Sequence, residues 1–405
     1  RAIKMLLLVQ FRLIVVIVYV LVVSWWALLV KFMMTGRDVK TAIIKIVRGR
    51  GASKRRRAPA IRKRFFVPAA KSAPAEEDGT QMERASQRRK VTPIRRATEH
   101  PEKLNLMRNF CLTTVNLGVA GLVKEFMEIK ATSTPVAKLS KVAFDKNKDK
   151  NRYRDVFCID GTRVVLQYPP GGNDYIHANY VGVRNNKRRF ICTQAPKENT
   201  IEDFWRMVWQ EKSKAIIMLC NVIECGKKKC EQYWPAIVDE TMNFGNLTIR
   251  NVKMVEVEKI ISVTRLNLSD GSYDLDVEHI AWRSWPDRGV PGNFLACFRL
   301  LQRVKDVECI VVHCSAGIGR TGTIVGLEVA NQMFDHGEKV SMREIVQEMR
   351  KQRHGSVQTD IQYVYMHRCI VGLSENKKAV KRSEVRGFMQ QFDQYAKARG
   401  AVGAR

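Results

Sequence analysis

Apolar residues are most concentrated near the start of the chain, between Leu13 and Val30. These eighteen residues include no charged side chain. As an α-helix they would extend about 27 Å, close to the roughly 30 Å hydrocarbon core of a bilayer. A dense basic tract follows between Arg37 and Arg57, and such tracts flank membrane segments on the cytoplasmic side. The pattern predicts a single transmembrane anchor within residues 1–35, with the remaining chain in the cytoplasm.

Two other interpretations of this segment stay open. A cleavable signal peptide also contains an apolar run, but it would send the rest of the chain out of the cytoplasm. The second alternative is a misassigned start of the sequence, since the chain begins with Arg rather than Met.

Residues 36–105 show no sustained hydrophobic period and are rich in Arg, Lys, Ala and Pro. We interpret them as a basic, disordered linker. Residues 1–100 carry 23 Lys and Arg against 6 Asp and Glu, which places +17 of the net charge of +30 in this quarter. Such a block is typical of a solvated arm, and it can also contact anionic lipid or nucleic acid. We expect no nucleic-acid partner.

The hydrophobic pattern from residue 106 onward is that of a folded domain. Apolar residues recur at helical spacing between Met107 and Ala131, and Thr200 with Asp203 predicts a helix N-cap. Short apolar or alternating runs predict strands at 163–167, 179–183, 190–193, 215–219 and around 247–249. Helical spacing returns at 293–304, 320–335, 341–352 and 358–372.

This order of elements predicts an α/β domain of the α+β type over residues 106–375, with a twisted mixed β-sheet flanked by helices. We expect residues 376–405 to form a basic, mobile C-terminal tail. The ten cysteines have no repeated spacing, so we interpret them as reduced thiols in a cytosolic domain and expect no metal site and no cofactor.

The strongest chemical signal lies around Cys314, in the segment VVHCSAGIGRTG from Val311 to Gly322. An apolar run leads to the cysteine, and small residues precede Arg320. A strand that ends in a tight loop at a helix N-terminus directs backbone N–H groups and the helix dipole toward a bound anion. A thiol in that field loses its proton readily, and a guanidinium matches two phosphate oxygens. The segment therefore predicts a loop between a strand and a helix, in which a phosphoryl group is transferred to the cysteine thiolate.

Other interpretations of this loop are weaker. A Walker-type nucleotide loop is excluded because no Gly-Lys-Ser/Thr follows the glycines. A buried structural cysteine beside a turn is the usual fate of a free thiol, but it does not require an Arg six residues later.

The segment resembles the catalytic loop of the protein-tyrosine phosphatases. Other motifs of that family occur along the chain, before and after this loop, in family order. The resemblance covers about residues 108–375. It rests on KNRYRDV at 150–156, DYIHANY at 174–180, FICTQAP at 190–196, KCEQYWP at 229–235, WPDRGVP at 285–291 and QTDIQY at 358–363.

The resemblance implies specific catalytic roles. Cys314 is the expected nucleophile and forms a cysteinyl-phosphate. Arg320 clamps the phosphate, and Asp287 is the general acid and later the base. Expected helpers are Gln358, which places the water, Gln362, which assists it, Thr321, which donates to the thiolate, and His313, which orients the loop and lowers the pKa of Cys314. By the same analogy Glu224 holds Arg320, and Lys229 contacts the acid loop.

The resemblance also implies how substrate is bound. The phosphate lies against the backbone of Ser315, Ala316, Gly317, Ile318 and Gly319. Tyr153 walls a slot too deep for phosphoserine, and Asp155 accepts N–H groups of the substrate peptide. Arg152 and Arg154 are expected to favour acidic residues beside the phosphotyrosine.

Two positions depart from the family pattern. Arg288 stands where the family usually has His, and Ala195 replaces a usual Gly. The leading hypothesis is an active tyrosine phosphatase acting on phosphotyrosyl proteins. A phosphotyrosine-binding pseudophosphatase, or a dual-specificity or lipid phosphatase, are the alternatives. The presence of the cysteine, arginine, acid and glutamine disfavours the first alternative, and the Tyr153 loop disfavours the second.

Overall fold

The structure is a computed structural model, and it describes residues 100–182, 189–258 and 260–400. The Leu13–Val30 segment and its basic tract lie outside these residues, as do most of the expected linker and the last five residues of the chain. All described residues belong to the unit Thr92–Arg405.

Eight helices of five residues or more occur in the described part of the chain. They are α1 (Pro101–Thr132), α2 (Val142–Lys146), α3 (Ile201–Gln210), α4 (Ala296–Arg303), α5 (Gly319–Asp335), α6 (Met342–Gln352), α7 (Asp360–Asn376) and α8 (Arg382–Ala398).

Eleven strands occur in the same residues. They are β1 (Arg163–Val165), β2 (Tyr175–Val181), β3 (Arg189–Thr193), β4 (Ala215–Met218), β5 (Ile223–Glu224), β6 (Lys227–Lys228), β7 (Thr241–Phe244), β8 (Leu247–Glu258), β9 (Ile261–Ser269), β10 (Asp274–Trp282) and β11 (Cys309–His313).

Nine of the strands form one mixed sheet, in the order β1-β2-β3-β11-β4-β10-β9-β8-β7. The four central strands β3, β11, β4 and β10 run parallel, and the outer pairs are antiparallel. β4 and most of β11 are buried, which is why they read as continuous apolar runs, whereas β10 begins with alternating exposed and buried residues. The expected fold class, a mixed sheet flanked by helices, is confirmed.

β11 lies in the middle of the sheet, and its position follows from its sequence. The strand Cys309-Ile-Val-Val-His313 is apolar up to its last residue, and residues 310–313 are all buried. It pairs in parallel with β3 on one side and β4 on the other. Ligand sites in such sheets lie beyond the carboxyl ends of the parallel strands, and β11 ends there, immediately before Cys314.

The two longest strands after β8 were not predicted from the sequence. β9 and β10 pair along nine residues. Polar and apolar residues alternate from Asp274 to Glu278, but no strand was predicted from this stretch. The predicted N-cap at Thr200 is also only partly right. Thr200 precedes α3, but its hydroxyl accepts from Lys197 N–H at 2.8 Å and does not cap the helix.

The expectation of a mobile C-terminal tail is wrong for α8. Its apolar residues recur at helical spacing and are buried against the domain: Val385, Phe388, Met389, Phe392 and Ala396. Arg108 of α1 contacts Glu384 with two hydrogen bonds of 3.2 and 2.6 Å. Burial of this apolar face holds the helix in place despite its basic composition.

One helix in the described residues, α1, is long and apolar enough to cross a membrane by length and composition. Core helices of soluble domains pass the same test. Met107, Leu122 and Phe126 of α1 are buried in the hydrophobic core, so we assign α1 to the folded domain. It begins at Pro101, earlier than the predicted start.

Candidate active site

The Cys314 loop is held between β11 and α5, and one glycine makes its shape possible. Gly317 has φ +70°, and a Cβ atom there would lie 2.0 Å from the Thr193 carbonyl oxygen. Only glycine fits both the dihedral angle and this close approach. The turn brings Gly317 N–H to 3.2 Å from the Cys314 sulfur.

Several groups act on the Cys314 thiol, which is 3% exposed. Burial alone would raise its pKa. The charge of Arg320, the Thr321 hydroxyl and the N–H groups of Thr321 and Gly317 outweigh burial, so the pKa of Cys314 lies below the ordinary thiol value. The Thr321 hydroxyl has no oxygen or nitrogen partner within the described residues and is thus free to serve the thiolate. The expected role of Thr321 therefore fits its surroundings.

Arg320 is 2% exposed and is fixed by a carboxylate. Its Nη1 and Nη2 atoms donate to the two oxygens of Glu224 at 2.6 and 2.9 Å, and Nη1 also donates to the Trp285 carbonyl at 3.1 Å. Burial would lower the pKa of Arg320, but Glu224 and the Cys314 thiolate raise it overall. The ion pair expected from the family resemblance is present, and it presents a rigid cation beside the thiolate.

Asp287 lies within reach of the same arginine. Its Oδ1 atom is 3.3 Å from Arg320 Nη2, and its Oδ2 atom accepts from Lys229 Nζ at 2.8 Å. Burial would raise the pKa of Asp287, but the hydrogen bond from Lys229 and the charge of Arg320 lower it overall. The expected contact between Lys229 and the acid loop is present. A phosphate dianion on Arg320 would oppose this lowering and favour the protonated acid.

His313 is fully buried behind the loop. Its Nε2 atom lies 2.6 Å from the Tyr233 hydroxyl, and its Nδ1 atom lies 3.3 Å from the Cys314 carbonyl oxygen. These contacts suit the expected role in orienting the loop. The sulfurs of Cys220 and Cys230 and a ring nitrogen of His313 lie within 4.8 Å of one another, a buried cluster that the sequence spacing did not indicate.

Gln358 and Gln362 both lie over the catalytic loop. A Cβ atom on Gly319 would meet Gln362 Nε2 at 3.0 Å and Gln358 Oε1 at 3.1 Å. Gln362 Oε1 also accepts from the N–H groups of Gln358 and Thr359, at 3.0 and 3.2 Å. Gln362 thus caps α7 and positions Gln358. The sequence did not indicate this structural role of Gln362.

Four residues form the rim of the site: Arg152, Tyr153, Arg154 and Asp155. Their side chains differ in how freely they can contact a substrate. The Tyr153 hydroxyl lies 2.8 Å from the Ser315 hydroxyl, which places this ring at the loop, and Asp155 and Arg154 are exposed. Arg152 donates to the carbonyl oxygens of Ala195 and Pro196 at 3.1 and 2.6 Å. The guanidinium of Arg152 thus braces the neighbouring loop, and its recognition of acidic substrate residues stays a prediction.

Arg353 supports the loop from behind, and sequence reasoning missed it. It is fully buried and donates to the carbonyls of Gly317 and Ala316 at 3.1 and 3.0 Å. Ile318 is fixed as well, since its carbonyl accepts from Val357 N–H at 2.9 Å. With their carbonyls held outward, the loop N–H groups are left to face an anion. Arg353 lies far along the chain from Cys314, and no local pattern marks it.

The two departures from the family pattern are accommodated. Ala195 is fully buried, and its N–H donates to the Ser315 carbonyl at 3.0 Å. Arg288 adopts φ +58°, and its carbonyl accepts from the Thr359 hydroxyl at 3.4 Å. Neither change displaces Cys314, Arg320 or Asp287 from the arrangement described above.

Comparisons with known proteins point to one enzyme family. The model of the family "Protein-tyrosine phosphatase" matches residues 147–372. The chain is 35% identical over 289 residues to the Caenorhabditis elegans tyrosine-protein phosphatase Lar-like, covering 69% of this chain and 12% of that protein. It is 33% identical over 285 residues to human tyrosine-protein phosphatase non-receptor type 9, covering 65% and 48%. The chain thus spans half or less of these curated relatives.

Solved structures are similar as well. The catalytic domain of human protein tyrosine phosphatase non-receptor type 18 has a TM-score of 0.60 and 34% identity, over 63% of this chain and 96% of that one. A structure of PTPN18 in complex with HER2-pY1248 phosphopeptides has a TM-score of 0.59 and 34% identity, over 62% and 99%.

Proposed function

The chain belongs to the protein-tyrosine phosphatase family, and we propose that it hydrolyses phosphotyrosine in proteins through a cysteinyl-phosphate intermediate. One observation carries the proposal. A thiol with a lowered pKa, a buried arginine held by a carboxylate and an acid within reach of that arginine converge on one loop. Nucleophile, phosphate clamp and proton donor are the groups that this reaction requires.

The first step forms the sulfur–phosphorus bond. The Cys314 thiolate attacks phosphorus, and the bond from phosphorus to the tyrosyl oxygen breaks. Asp287 gives its proton to that oxygen, so tyrosine leaves as a neutral phenol. Arg320 and the N–H groups of residues 315–320 hold the equatorial oxygens, whose charge is spread in the transition state.

The second step releases phosphate. A water molecule attacks the phosphorus of cysteinyl-phosphate, Asp287 takes a proton from that water, and the Cys314 thiolate departs. Gln358 is the proposed water-positioning residue, held in place by Gln362. The Thr321 hydroxyl stabilises the departing thiolate.

Substrate choice follows from the rim. Tyr153 beside Ser315 provides an aromatic wall for a phosphotyrosine ring, and Asp155 is placed to accept peptide N–H groups. Arg154, which is exposed, is the rim arginine proposed to favour acidic residues near the phosphotyrosine. The similar PTPN18 structures hold HER2 phosphopeptides, and we propose phosphotyrosyl proteins as substrates here. Residues 106–375 are the proposed catalytic domain, extended by α8.

Initial rates on a matched pair of peptides test this function. The full chain is expected to hydrolyse a phosphotyrosine peptide at least about a hundredfold better, in kcat/KM, than the same peptide carrying phosphoserine. The shorter phosphoserine cannot reach Cys314 past the Tyr153 rim. Equal rates would indicate a dual-specificity enzyme, and binding without phosphate release would indicate a pseudophosphatase.

Membrane attachment through Leu13–Val30 is proposed for the same chain, because this stretch is uncharged and a dense basic tract follows it. Membranes carrying the full chain are extracted with high salt and then at alkaline pH. The protein is expected to stay in the pellet, since salt screens the basic tract but does not weaken a buried apolar helix. A chain that begins at residue 92 serves as the soluble, active control. Full release of the intact chain by salt would rule out the anchor.

A further inference from the structure

A cavity of about 400 Å³ lies between α7, α8 and the residues that end the acid loop. This volume falls within the range of small-molecule sites. Its lining includes the aromatic residues Phe294, Tyr365 and Phe392 and the charged residues Arg368, Asp393 and Lys397. None of the lining residues belongs to the Cys314 loop, and one of them, Pro291, ends the acid loop, so the cavity is distinct from the phosphate-binding loop and adjoins the acid loop.

Arg368 on α7 is the unusual member of this lining. Its side chain is 8% exposed, and its Nε and Nη1 atoms are buried without a hydrogen-bond partner among the described residues. The guanidinium lies 4.0 Å from the centre of the Phe294 ring. That cation–π contact offsets part of the cost of burial, but it supplies no acceptor for the N–H groups. A buried cation in this state is costly until an acceptor reaches it.

The neighbouring carboxylates do not supply that acceptor. Asp393 lines the cavity, but its side chain is exposed, and the described residues include no ion pair between it and Arg368. Glu375 lies further along α7 and forms an ion pair with Arg382, whose Nη1 atom is 3.0 Å from Glu375 Oε1. Lys397 adds a second positive charge to the lining. The lining thus carries the positive charges of Arg368 and Lys397 and the negative charge of Asp393. The cavity therefore favours a ligand with one negative charge.

We propose that this cavity binds a small organic carboxylate with an aromatic or aliphatic body. The carboxylate oxygens accept from Arg368, whose planar fork matches them, and Lys397 assists. The apolar body packs against Phe294, Tyr365 and Phe392. A phosphate dianion fits less well, because the walls are apolar and Asp393 lies beside the site.

Titration calorimetry on the full chain tests the site with benzoate as the probe and neutral benzamide as its isostere. Orthovanadate is present to occupy the Cys314 loop. Benzoate is expected to bind with a dissociation constant in about the millimolar range, and benzamide at least tenfold more weakly. Arg368→Gln is expected to weaken benzoate binding at least tenfold. Equal binding of benzoate to wild type and Arg368→Gln, or equal binding of benzamide, would overturn the proposal.

Two controls keep the result interpretable. Arg386→Gln removes an exposed arginine of α8 that does not line the cavity, and it is expected to bind benzoate like wild type. Arg368→Gln removes an unpaired buried charge, so its unfolding temperature is expected to be no lower than that of wild type. If that variant does not fold, hydrogen exchange on the wild type decides. Benzoate, but not benzamide, is expected to protect the amides of residues 292 and 392–400, and absence of that protection would refute the site. These readouts need no turnover, so they are independent of the proposed phosphatase activity.

Discussion

Cys314→Ser is expected to lower kcat by at least about 10³-fold while leaving the fold and substrate binding intact. The hydroxyl has a much higher pKa than a thiol, and the charge of Arg320 that lowers the pKa of Cys314 cannot ionise serine near neutral pH. The phosphate-binding N–H groups and Arg320 remain, so a phosphotyrosine peptide still binds. Steady-state kinetics and calorimetry measure the two quantities separately.

Cys225→Ser is the matched control for that variant, because Cys225 is an exposed thiol and has no part in the proposed chemistry. Its activity is expected to equal that of wild type. Residual turnover of Cys314→Ser within tenfold of wild type would show that another group attacks phosphorus.

Asp287→Ala is expected to lower kcat by about 10²–10⁴-fold with little change in substrate affinity. The proton that Asp287 donates matters in the transition state, because an unprotonated tyrosyl oxygen is a poor leaving group. The variant is also expected to retain phosphotyrosyl protein on its thiolate. Asp274→Ala, which removes an exposed carboxylate at the start of β10, is the control. A change in KM alone would contradict the assigned role.

The pH dependence provides a second test of Asp287. Lys229 and Arg320 lower the pKa of its carboxyl, so a rising pH removes the donated proton and kcat falls on the alkaline side. A lowered pKa makes that loss begin at a lower pH than for an unpaired acid, and bound phosphate shifts it upward. Asp287→Ala is expected to lack this alkaline limb. An unchanged limb would assign it to a different group.

The parts of this fold that could be predicted from the sequence are those with a strong local pattern. The apolar run before Cys314 predicted the central strand β11, and the helical spacing predicted α5, α6 and α7. α8 was missed although Phe388, Met389 and Phe392 carry a helical period, because the basic composition of the tail was given more weight. β10 was missed although Leu275 and Val277 alternate with acidic residues, and in β9 the alternation changes phase at Arg265.

The candidate site divides in the same way. Cys314 and Arg320 lie on one loop, so their spacing alone indicated their chemistry. The pairing of Arg320 with Glu224, and of Lys229 with Asp287, joins residues distant in the chain and came only from family resemblance. Arg353, which braces the loop, and Arg368, which is buried without a partner, carry no local signal. Arginine in a helix is normally a surface residue. For Arg368, only the packing of α7 and α8 shows that the side chain is buried.

Rapid acid quench during turnover of a phosphotyrosine peptide tests the central claim most directly. Peptide mapping by mass spectrometry is expected to find one added phosphoryl group on the peptide that contains Cys314, and none in Cys314→Ser. Asp287→Ala supplies the comparison, since loss of the base is expected to slow breakdown of any phosphoenzyme that forms. Phosphate release with no phosphorylated Cys314 in wild type at any quench time would contradict the account, because it would mean direct attack of water on the substrate.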